Sequence, residues 1–515
     1  MASEDIIELE FKVDQLPIQS RQGCRVLVSA SQFSQDIEVG KTEKRFDISS
    51  ITFNEKVKVF FRLGETQEYK VHLLIYRPDS EDIERIAGET TFNLLNVLKQ
   101  SGTLTTIMPS ENFTLNTVPI LTVTAQGGTD QMNGTFLQFS GHSLDPRNRH
   151  QIAAYFVLSL IPKGNGMPVI LYRSEVINKN SPKWKEFIIP TRYFSTSSEG
   201  ILEFSCYNFN NNTEDSLIGK FSTSFYQLLR GAGAINKYIL HCAAGKKKEE
   251  MSIELCKIGS NQTVSSFPTF IAAGLQLHFT ISIDFTTNNG NQNEATSLHY
   301  QHPHMRSIYG NRLKVVADGL EALSPSSKIS LLGFGAKVPP DMQFSQCFAM
   351  NGNILNPFCR NLIDVEEYYR RCALSVLFFA PTNYSNVISN VTKQAIAAER
   401  SQRNLHFVLV ILTNGNVSNV GALKDTCDEI VKASKYPISI IFVGIGNAQH
   451  PLRLDAGSKF MQIFSPNLKS TDGVPLKRET AVFVDGSDEN TIPLLSTQIF
   501  NSVSRQMTLF RLNCA

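Results

Sequence analysis

Long apolar runs, a basic excess and paired-cysteine motifs are all missing from this sequence. The longest apolar stretches, near residues 407–412 and 438–443, are too short to span a bilayer. The 49 Lys and Arg residues nearly balance the 47 Asp and Glu residues, so no global charge excess indicates nucleic acid as a partner. The first residues contain no basic segment followed by an apolar one, and a secretory signal is therefore not expected.

The motifs of common enzyme and metal classes are missing as well. The nine cysteines are scattered and none forms Cys-x-x-Cys, which disfavours a structural zinc site or a redox pair and suits thiols in a reducing compartment. The sequence contains no phosphate loop of the Gly-x-x-x-x-Gly-Lys-Ser/Thr type, no Gly-x-Ser-x-Gly and no His-Glu-x-x-His, so an enzyme is not expected. The cluster of His299, His302 and His304 is interpreted as an exposed polar loop, with metal ligation as the alternative.

Two sets of strands fill the first half of the 515 residues. Ile7, Leu9, Phe11 and Val13 alternate with polar residues, which predicts strands with one packed face and one wet face. A linker is predicted at 125–134, and a second set of strands follows it. A faint internal repeat relates the two sets, so we expect the same antiparallel sandwich twice.

The pattern changes after about residue 265. Strands predicted at 277–283, 329–334, 407–412 and 438–445 alternate with helical spacing at 308–323, 386–399, 420–431 and 492–503. Alternating strands and helices predict a doubly wound α/β domain with a parallel sheet, whose ligands bind at the carboxyl ends of the strands.

Three groups of motifs resemble known families. The segments Leu144-Asp-Pro-Arg-Asn148 and Asn180-Ser-Pro-Lys-Trp184 resemble a C2 domain, and Ile283-Asp-Phe-Thr-Thr-Asn-Asn-Gly290 resembles the metal loop of a von Willebrand A-type domain. Gly333-Phe-Gly-Ala-Lys-Val-Pro-Pro-Asp341 and Asn356-Pro-Phe-Cys359 resemble motifs of copines. The chain is therefore similar to a divergent copine, with C2-like domains at 1–127 and 132–260 and an A-type domain at 265–515.

The copine resemblance implies a cytoplasmic protein that associates peripherally with the plasma membrane. It implies calcium-dependent binding of anionic phospholipid by the C2 domains and binding of a protein partner, unidentified here, by the A-type domain. The first C2-like domain has no carboxylate in its loop at 16–23, and its acidic loop at 77–82 aligns poorly.

Calcium requires several oxygen ligands, mainly carboxylates. The positions at which the family's second C2 domain carries aspartates are here occupied by Asn148, Ala154, Asn208, Asn210 and Ser216. We therefore expect that calcium binding is weak or lost at this site. The nearby acids Asp145, Glu214 and Asp215 would attract an ion only loosely.

Basic residues offer a route to membranes without calcium. Lys179, Lys183, Lys185 and Arg192 lie on or near strands that form a basic face in many C2 domains, and 246–248 adds three lysines. Each basic group near an anionic surface contributes about 1 kcal/mol, so such binding would be weak and sensitive to salt. The alternative is a set of solvated loops.

The A-type metal site survives in part. The resemblance assigns it to Asp284, Thr286, Asn288, Thr382 and Asn414, where Asn288 and Asn414 replace a Ser and an Asp of the family pattern. The loss of one charge weakens Mg²⁺ binding, and the alternative is a loop that is kept for its turn geometry.

The leading hypothesis is an adaptor that binds protein partners through the A-type domain and membranes weakly or without calcium. A calcium-dependent phospholipid-binding signalling protein and a purely soluble scaffold are the alternatives.

Overall fold

The structure, a computed structural model, describes most of the chain. The described residues are 5–16, 22–32, 35–46, 50–62, 66–78, 80, 82–109, 118–127, 133–145, 152–161, 168–191, 193, 201–210, 214–241, 251–263, 265–323, 329–415, 417, 419–447, 459–465 and 467–513.

The described elements include eight α-helices and 27 strands. The helices are α1 Leu94–Lys99, α2 Phe225–Leu228, α3 Phe267–Ala272, α4 Ile308–Leu323, α5 Leu362–Ser375, α6 Ser385–Arg400, α7 Val420–Ala433 and α8 Leu495–Asn513. The strands of the two sandwiches are β1 Asp5–Asp14, β2 Cys24–Gln32, β3 Gln35–Lys41, β4 Ser50–Thr52, β5 Val57–Phe61, β6 Glu68–Tyr76, β7 Ile83–Asn93, β8 Thr103–Ile107, β9 Ile120–Gly127, β10 Asn133–His142, β11 Ala154–Ile161, β12 Val169–Arg173, β13 Phe187–Pro190, β14 Ile201–Asn208, β15 Ser216–Thr223, β16 Lys237–Ile239 and β17 Ser252–Thr263. The remaining strands are β18 Gln276–Asp284, β19 Ile329–Phe334, β20 Ala336–Val338, β21 Gln343–Ser345, β22 Phe348–Ala349, β23 Phe358–Cys359, β24 Leu377–Phe378, β25 Leu405–Thr413, β26 Ile438–Gly444 and β27 Ala481–Asp485.

The first sandwich packs two antiparallel sheets, one ordered β4-β1-β9-β8 with β5 also on β1, the other β3-β2-β6-β7. Ile7, Leu9, Phe11 and Val13 of β1 are fully buried, so the predicted alternation is confirmed. Residues 265–276, which include α3, cluster with this sandwich, and the ring of Phe267 stacks 6.2 Å from that of Phe61. The domain boundaries at 127, 132, 260 and 265 remain predictions.

The second sandwich consists of the sheets β13-β10-β17-β16 and β12-β11-β14-β15. Its core is aromatic: Trp184 meets Phe156 edge to face at 5.0 Å, and Phe139 lies 4.7 Å from Phe204. The indole N–H of Trp184 donates to the carbonyl of Ala154 at 3.3 Å, which satisfies the polar atom of this buried ring.

The α/β domain is built on a sheet ordered β22-β19-β18-β25-β26-β27. The pairs β18–β19, β25–β26 and β26–β27 are parallel, as the alternation of strands and helices predicts. Every residue of β25 and β26 is buried, which explains their unbroken apolar sequences. The closing helix was predicted at 492–503 but begins at Leu495 and continues to Asn513. Among the described helices, none has the length and apolarity needed to cross a membrane.

A buried histidine in β25 should make stability depend on pH. Burial, together with the nearby Arg478 and Arg511, holds the pKa of His406 well below its ordinary value. The unfolded chain binds a proton near pH 6.5 that the folded chain does not, so this contribution is complete above that pH and is lost as pH falls. We expect His406 to account for about 2 kcal/mol of lost stability between pH 7 and pH 5.

Urea unfolding of the protein and of His406→Gln at both pH values measures this contribution. The variant keeps a hydrogen-bonding amide opposite Ser439, whose Oγ lies 3.0 Å from Nε2 of His406, but does not titrate. Equal losses in the two proteins would contradict the assignment.

Candidate functional site

The predicted metal loop lies where the central strands of the parallel sheet end. Asp284 is the last residue of β18, and Asn414 directly follows β25. Thr286 leads into a short 3₁₀ turn at Thr287–Asn289. This edge of the sheet is the expected ligand position in a doubly wound fold.

The carboxylate of Asp284 is fully buried and already accepts several hydrogen bonds. Its Oδ1 receives the backbone N–H of Thr286 at 2.9 Å and the Thr286 hydroxyl at 2.6 Å, and its Oδ2 receives the Thr413 hydroxyl at 2.6 Å. Burial raises the pKa of Asp284 above its ordinary value, and the hydrogen bonds oppose this shift.

Hydrogen bonds bring all five predicted positions together. Thr382 donates to the Thr286 hydroxyl at 3.2 Å and accepts from Nδ2 of Asn288 at 3.2 Å. Nδ2 of Asn414 donates to the backbone carbonyl of Asn288 at 2.9 Å. The amide groups of Asn288 and Asn414 thus tie the loops to one another.

This donor set does not match a magnesium centre. Mg²⁺ binds oxygen ligands in strict octahedral geometry, usually with carboxylates. Here one carboxylate serves the whole site and its oxygens are engaged by Thr286 and Thr413, while the nitrogens of Asn288 and Asn414 donate within the loops. In the described part of the chain, no three His, Cys, Asp or Glu residues are grouped to hold a metal ion. The arrangement favours a loop that is closed by its own hydrogen bonds.

His299 is part of the support for this loop, and its predicted exposure is wrong. The side chain is 1% exposed, with Nε2 lying 2.7 Å from the carbonyl of Asp284 and Nδ1 lying 3.0 Å from the hydroxyl of Tyr369. Nε2 must donate to the carbonyl, so Nδ1 accepts the Tyr369 hydroxyl. Burial lowers the pKa of His299 to about 3, which keeps the ring neutral. His302 is half-buried and His304 is exposed.

The positions at which calcium ligands are expected to be lost lie at the loops of the second sandwich. Ala154 begins β11, and Oδ1 of Asn208 accepts the backbone N–H of Ala153 at 2.9 Å. Ser216 begins β15, and Asn210 lies in the loop between β14 and β15. Asn148 lies outside the described residues, as do the lysines at 246–248. The described positions hold a loop together and contribute no carboxylate.

Asp215, an acid next to these positions, forms an ion pair with a residue of the α/β domain. Its side chain is fully buried; Oδ1 pairs with the ammonium of Lys469, and Oδ2 accepts the Tyr155 hydroxyl at 2.7 Å. Lys469 also donates to the carbonyl of Asn210 at 2.6 Å and lies 4.3 Å from the centroid of the Phe209 ring. The α/β domain therefore stabilises this loop through the contacts of Lys469. No local sequence signal indicated Lys469, because its partner is 254 positions away.

Further contacts join the second sandwich to the α/β domain, and both belong to one compact unit. The backbone N–H of Ile170, on the edge strand β12, donates to Glu479 at 3.2 Å. Asn513 exchanges two hydrogen bonds with the backbone of Ile188, at 3.2 and 3.0 Å. Glu479 also pairs with Arg505 at 2.9 Å. These contacts lie on β12 and β13, which are edge strands of the two different sheets of the sandwich, so they occupy backbone groups at edges that would otherwise be free to pair.

The structure describes three of the four predicted basic residues. Lys179, Lys183 and Lys185 are all exposed, and Lys185 also lines a cavity shared with the α/β domain. Arg192 lies outside the described residues.

Several solved structures are similar to parts of this chain at low sequence identity and low TM-score. A structure titled "BON1-C2B" is 21% identical over 26% of this chain and 94% of its own, with a TM-score of 0.23. The calcium-bound C2A and C2B domains of Extended-Synaptotagmin 2 are 11% identical over 52% and 99%, with a TM-score of 0.20. The conserved hypothetical protein BatB from Bacteroides thetaiotaomicron is 14% identical over 45% and 100%, with a TM-score of 0.25. Similarities at this level identify neither a ligand nor an activity of this chain.

Family models are more specific. A C2 domain model matches residues 137–240, and a copine model matches residues 297–509. The first match covers most of the second sandwich, and the second covers most of the α/β domain, including Thr382 and Asn414 but not the loop that contains Asp284, Thr286 and Asn288. With a C2 domain followed by a copine domain, the chain belongs to the copine family.

Proposed function

We propose that this copine-family chain is an adaptor that binds anionic phospholipid surfaces without calcium and binds a protein partner through its A-type domain. The presence of a C2 domain and a copine domain supports peripheral membrane binding and protein interaction as its general role. The proposed location is the cytoplasm, in peripheral association with the plasma membrane. Enzymatic activity is not part of the proposal.

The observation that supports the loss of calcium control is that Asp215 is buried and paired with another residue of the chain. Calcium sites are built from carboxylates that face a shared space. Ala154, Asn208, Asn210 and Ser216 supply none, and the carboxylate of Asp215 is fully buried against Lys469 and Tyr155. A calcium ion at this loop would have to compete with an ammonium that the chain itself provides.

Membrane contact then depends on exposed basic residues. Lys179 and Lys183 lie on the segment between β12 and β13, and both side chains are exposed. At about 1 kcal/mol for each basic group near an anionic surface, a few lysines support weak binding that salt screens.

Liposome sedimentation tests this function. We expect the full-length protein to pellet with phosphatidylserine vesicles at low salt to the same extent in calcium and in chelator, and less at 0.15 M salt. The variant Lys179→Glu/Lys183→Glu should pellet several-fold less, since two attractive charges become repulsive.

The control is Lys237→Glu/Lys424→Glu, which makes the same change of charge at two other exposed lysines and should pellet like the unaltered protein. Calcium-stimulated pelleting would refute the proposed loss of calcium control and support the alternative of a calcium-dependent lipid binder. No pelleting under any of these conditions would leave a soluble scaffold as the better description.

The surface proposed for the protein partner is the edge of the sheet around the degenerate metal loop. Asp284 itself is buried, so a partner would meet the surrounding loops and not the carboxylate. The exposed rings of Phe344 and Phe379 lie 5.1 Å apart near this edge, and the backbone carbonyl of Phe379 accepts the backbone N–H of Thr287 at 3.2 Å. Aromatic side chains are common at the centres of protein interfaces, which supports this placement.

A further inference from the structure

A cavity of about 380 Å³ lies between the second sandwich and the α/β domain. One wall is the edge strand β12 with the residues that follow it, and a second is the segment from Val474 to Glu479. The third is one face of α8, formed by Gln506, Leu509 and Asn513. The volume is within the range of small-molecule sites, which is about 300–1,000 Å³.

The interior of this cavity is mainly apolar. Leu171 and Leu476 are almost fully buried side chains on two of these walls. Leu509 contributes from α8 and packs against the core of the sandwich. An occupant must therefore present an apolar body to these leucines.

The charged residues around the cavity are mostly basic. Lys185, Lys435, Lys477, Arg173 and Arg478 line it, whereas the acidic residues that line it are Glu175 and Glu479. Both acids are engaged: Glu175 accepts the backbone N–H of Lys185 at 2.8 Å, and Glu479 pairs with Arg505. The excess of positive charge favours an anionic group at one end of the occupant.

A buried amide faces the same space without a partner. Gln506 is 2% exposed, and neither its Oε1 nor its Nε2 has a hydrogen-bond partner among the described residues. Nε and Nη2 of Arg173 are likewise buried and unsatisfied within the described part of the chain. Buried polar groups of this kind are costly unless something bonds to them, and these two residues line the cavity from two different walls.

We propose that this cavity binds a single-chain amphiphilic anion, with a long-chain fatty acid as the committed ligand class. The carboxylate would accept hydrogen bonds from Gln506 and Arg173, inside the field of the surrounding lysines. The acyl chain would lie along Leu171, Leu476 and Leu509. The site does not depend on the proposed membrane binding, and no bond is made or broken in it.

A fluorescence titration of the full-length protein with cis-parinaric acid, in the absence of vesicles, tests this site. We expect saturable binding that oleate displaces and oleyl alcohol displaces at least ten-fold less well, since the alcohol lacks the charge. Leu476→Trp, which fills the cavity, should weaken binding at least ten-fold. Leu355→Trp is the matched control, because Leu355 is 93% exposed and is not among the residues that line the cavity, and the affinity of this variant should be unchanged.

Gln506→Met provides a second and independent readout. Removal of the unsatisfied amide should leave the lipid-free protein as stable as before or more stable, while the affinity for oleate falls several-fold. A structural role alone would move stability down and leave affinity unchanged. Equal displacement by oleate and oleyl alcohol, or unchanged affinity in both Leu476→Trp and Gln506→Met, would overturn the proposal.

Discussion

Asp215→Ala is expected to destabilise the unit formed by the second sandwich and the α/β domain by about 3–5 kcal/mol. The side chain of Asp215 is fully buried and that of Lys469 is 12% exposed. Truncation of the acid would leave the ammonium of Lys469 buried without its counter-charge, and the Tyr155 hydroxyl would lose one acceptor. Removal of one member of a buried ion pair therefore costs more free energy of unfolding than the intact pair contributes to stability.

Urea unfolding of the full-length protein measures this loss. Lys469→Met added to Asp215→Ala should recover part of it, because the unpaired charge is then removed. Asp318→Ala is the control, since Asp318 pairs with Lys314 at the surface and its loss should change stability by less than about 1 kcal/mol. If Asp215→Ala is no more disruptive than Asp318→Ala, the two domains are not held together by this pair.

The second large effect is expected at the degenerate metal loop. Asp284→Ala would leave the backbone N–H of Thr286 and the hydroxyls of Thr286 and Thr413 without their acceptor inside the protein. Each unsatisfied buried donor costs about 1–3 kcal/mol, so we expect a loss of about 3 kcal/mol or more. Asp284→Asn keeps one acceptor oxygen and should be less damaging.

The same variants separate a structural carboxylate from a metal ligand. If the loop is closed by hydrogen bonds, the protein and Asp284→Asn should give equal heats when titrated with Mg²⁺, and Mg²⁺ should not raise the stability of either. A ligand at 100 times its dissociation constant stabilises the folded state by about 2.7 kcal/mol, which unfolding curves readily detect. A magnesium-dependent stabilisation that Asp284→Asn abolishes would restore the predicted metal site.

Local sequence patterns predicted strands well where the buried positions recur regularly along the chain. The alternation in β1 identified its buried face, and the apolar runs of β25 and β26 identified the strands at the centre of the parallel sheet. Helix α5 was missed, although Val365, Tyr369 and Cys372 are buried at helical spacing and Asn361 caps its start. Exposed apolar residues such as Ile363 and Leu374 obscured that pattern.

The sequence could predict which residues form the site, but not their hydrogen bonds or their burial. Asp284 is the last residue of one strand of the parallel sheet, and Thr286 and Asn414 lie just after strand ends, so their proximity follows from topology. Whether their polar atoms face an ion or each other depends on side-chain direction and burial, which a motif does not contain. The burial of His299 beneath the loop is of the same kind, because its contacts with Asp284 and Tyr369 connect distant segments.

By itself, the sequence determined the order of the domains, the positions at which family carboxylates are replaced and the strand ends where the surviving metal-loop residues meet. These properties depend on side-chain period and on the residues present at matched positions. Only the tertiary structure decided that Asp215 forms an ion pair with Lys469 and that Gln506 lines a cavity between two domains. The physical reason is that a buried charge or amide is defined by what covers it, and here the covering residues are hundreds of positions away in the chain.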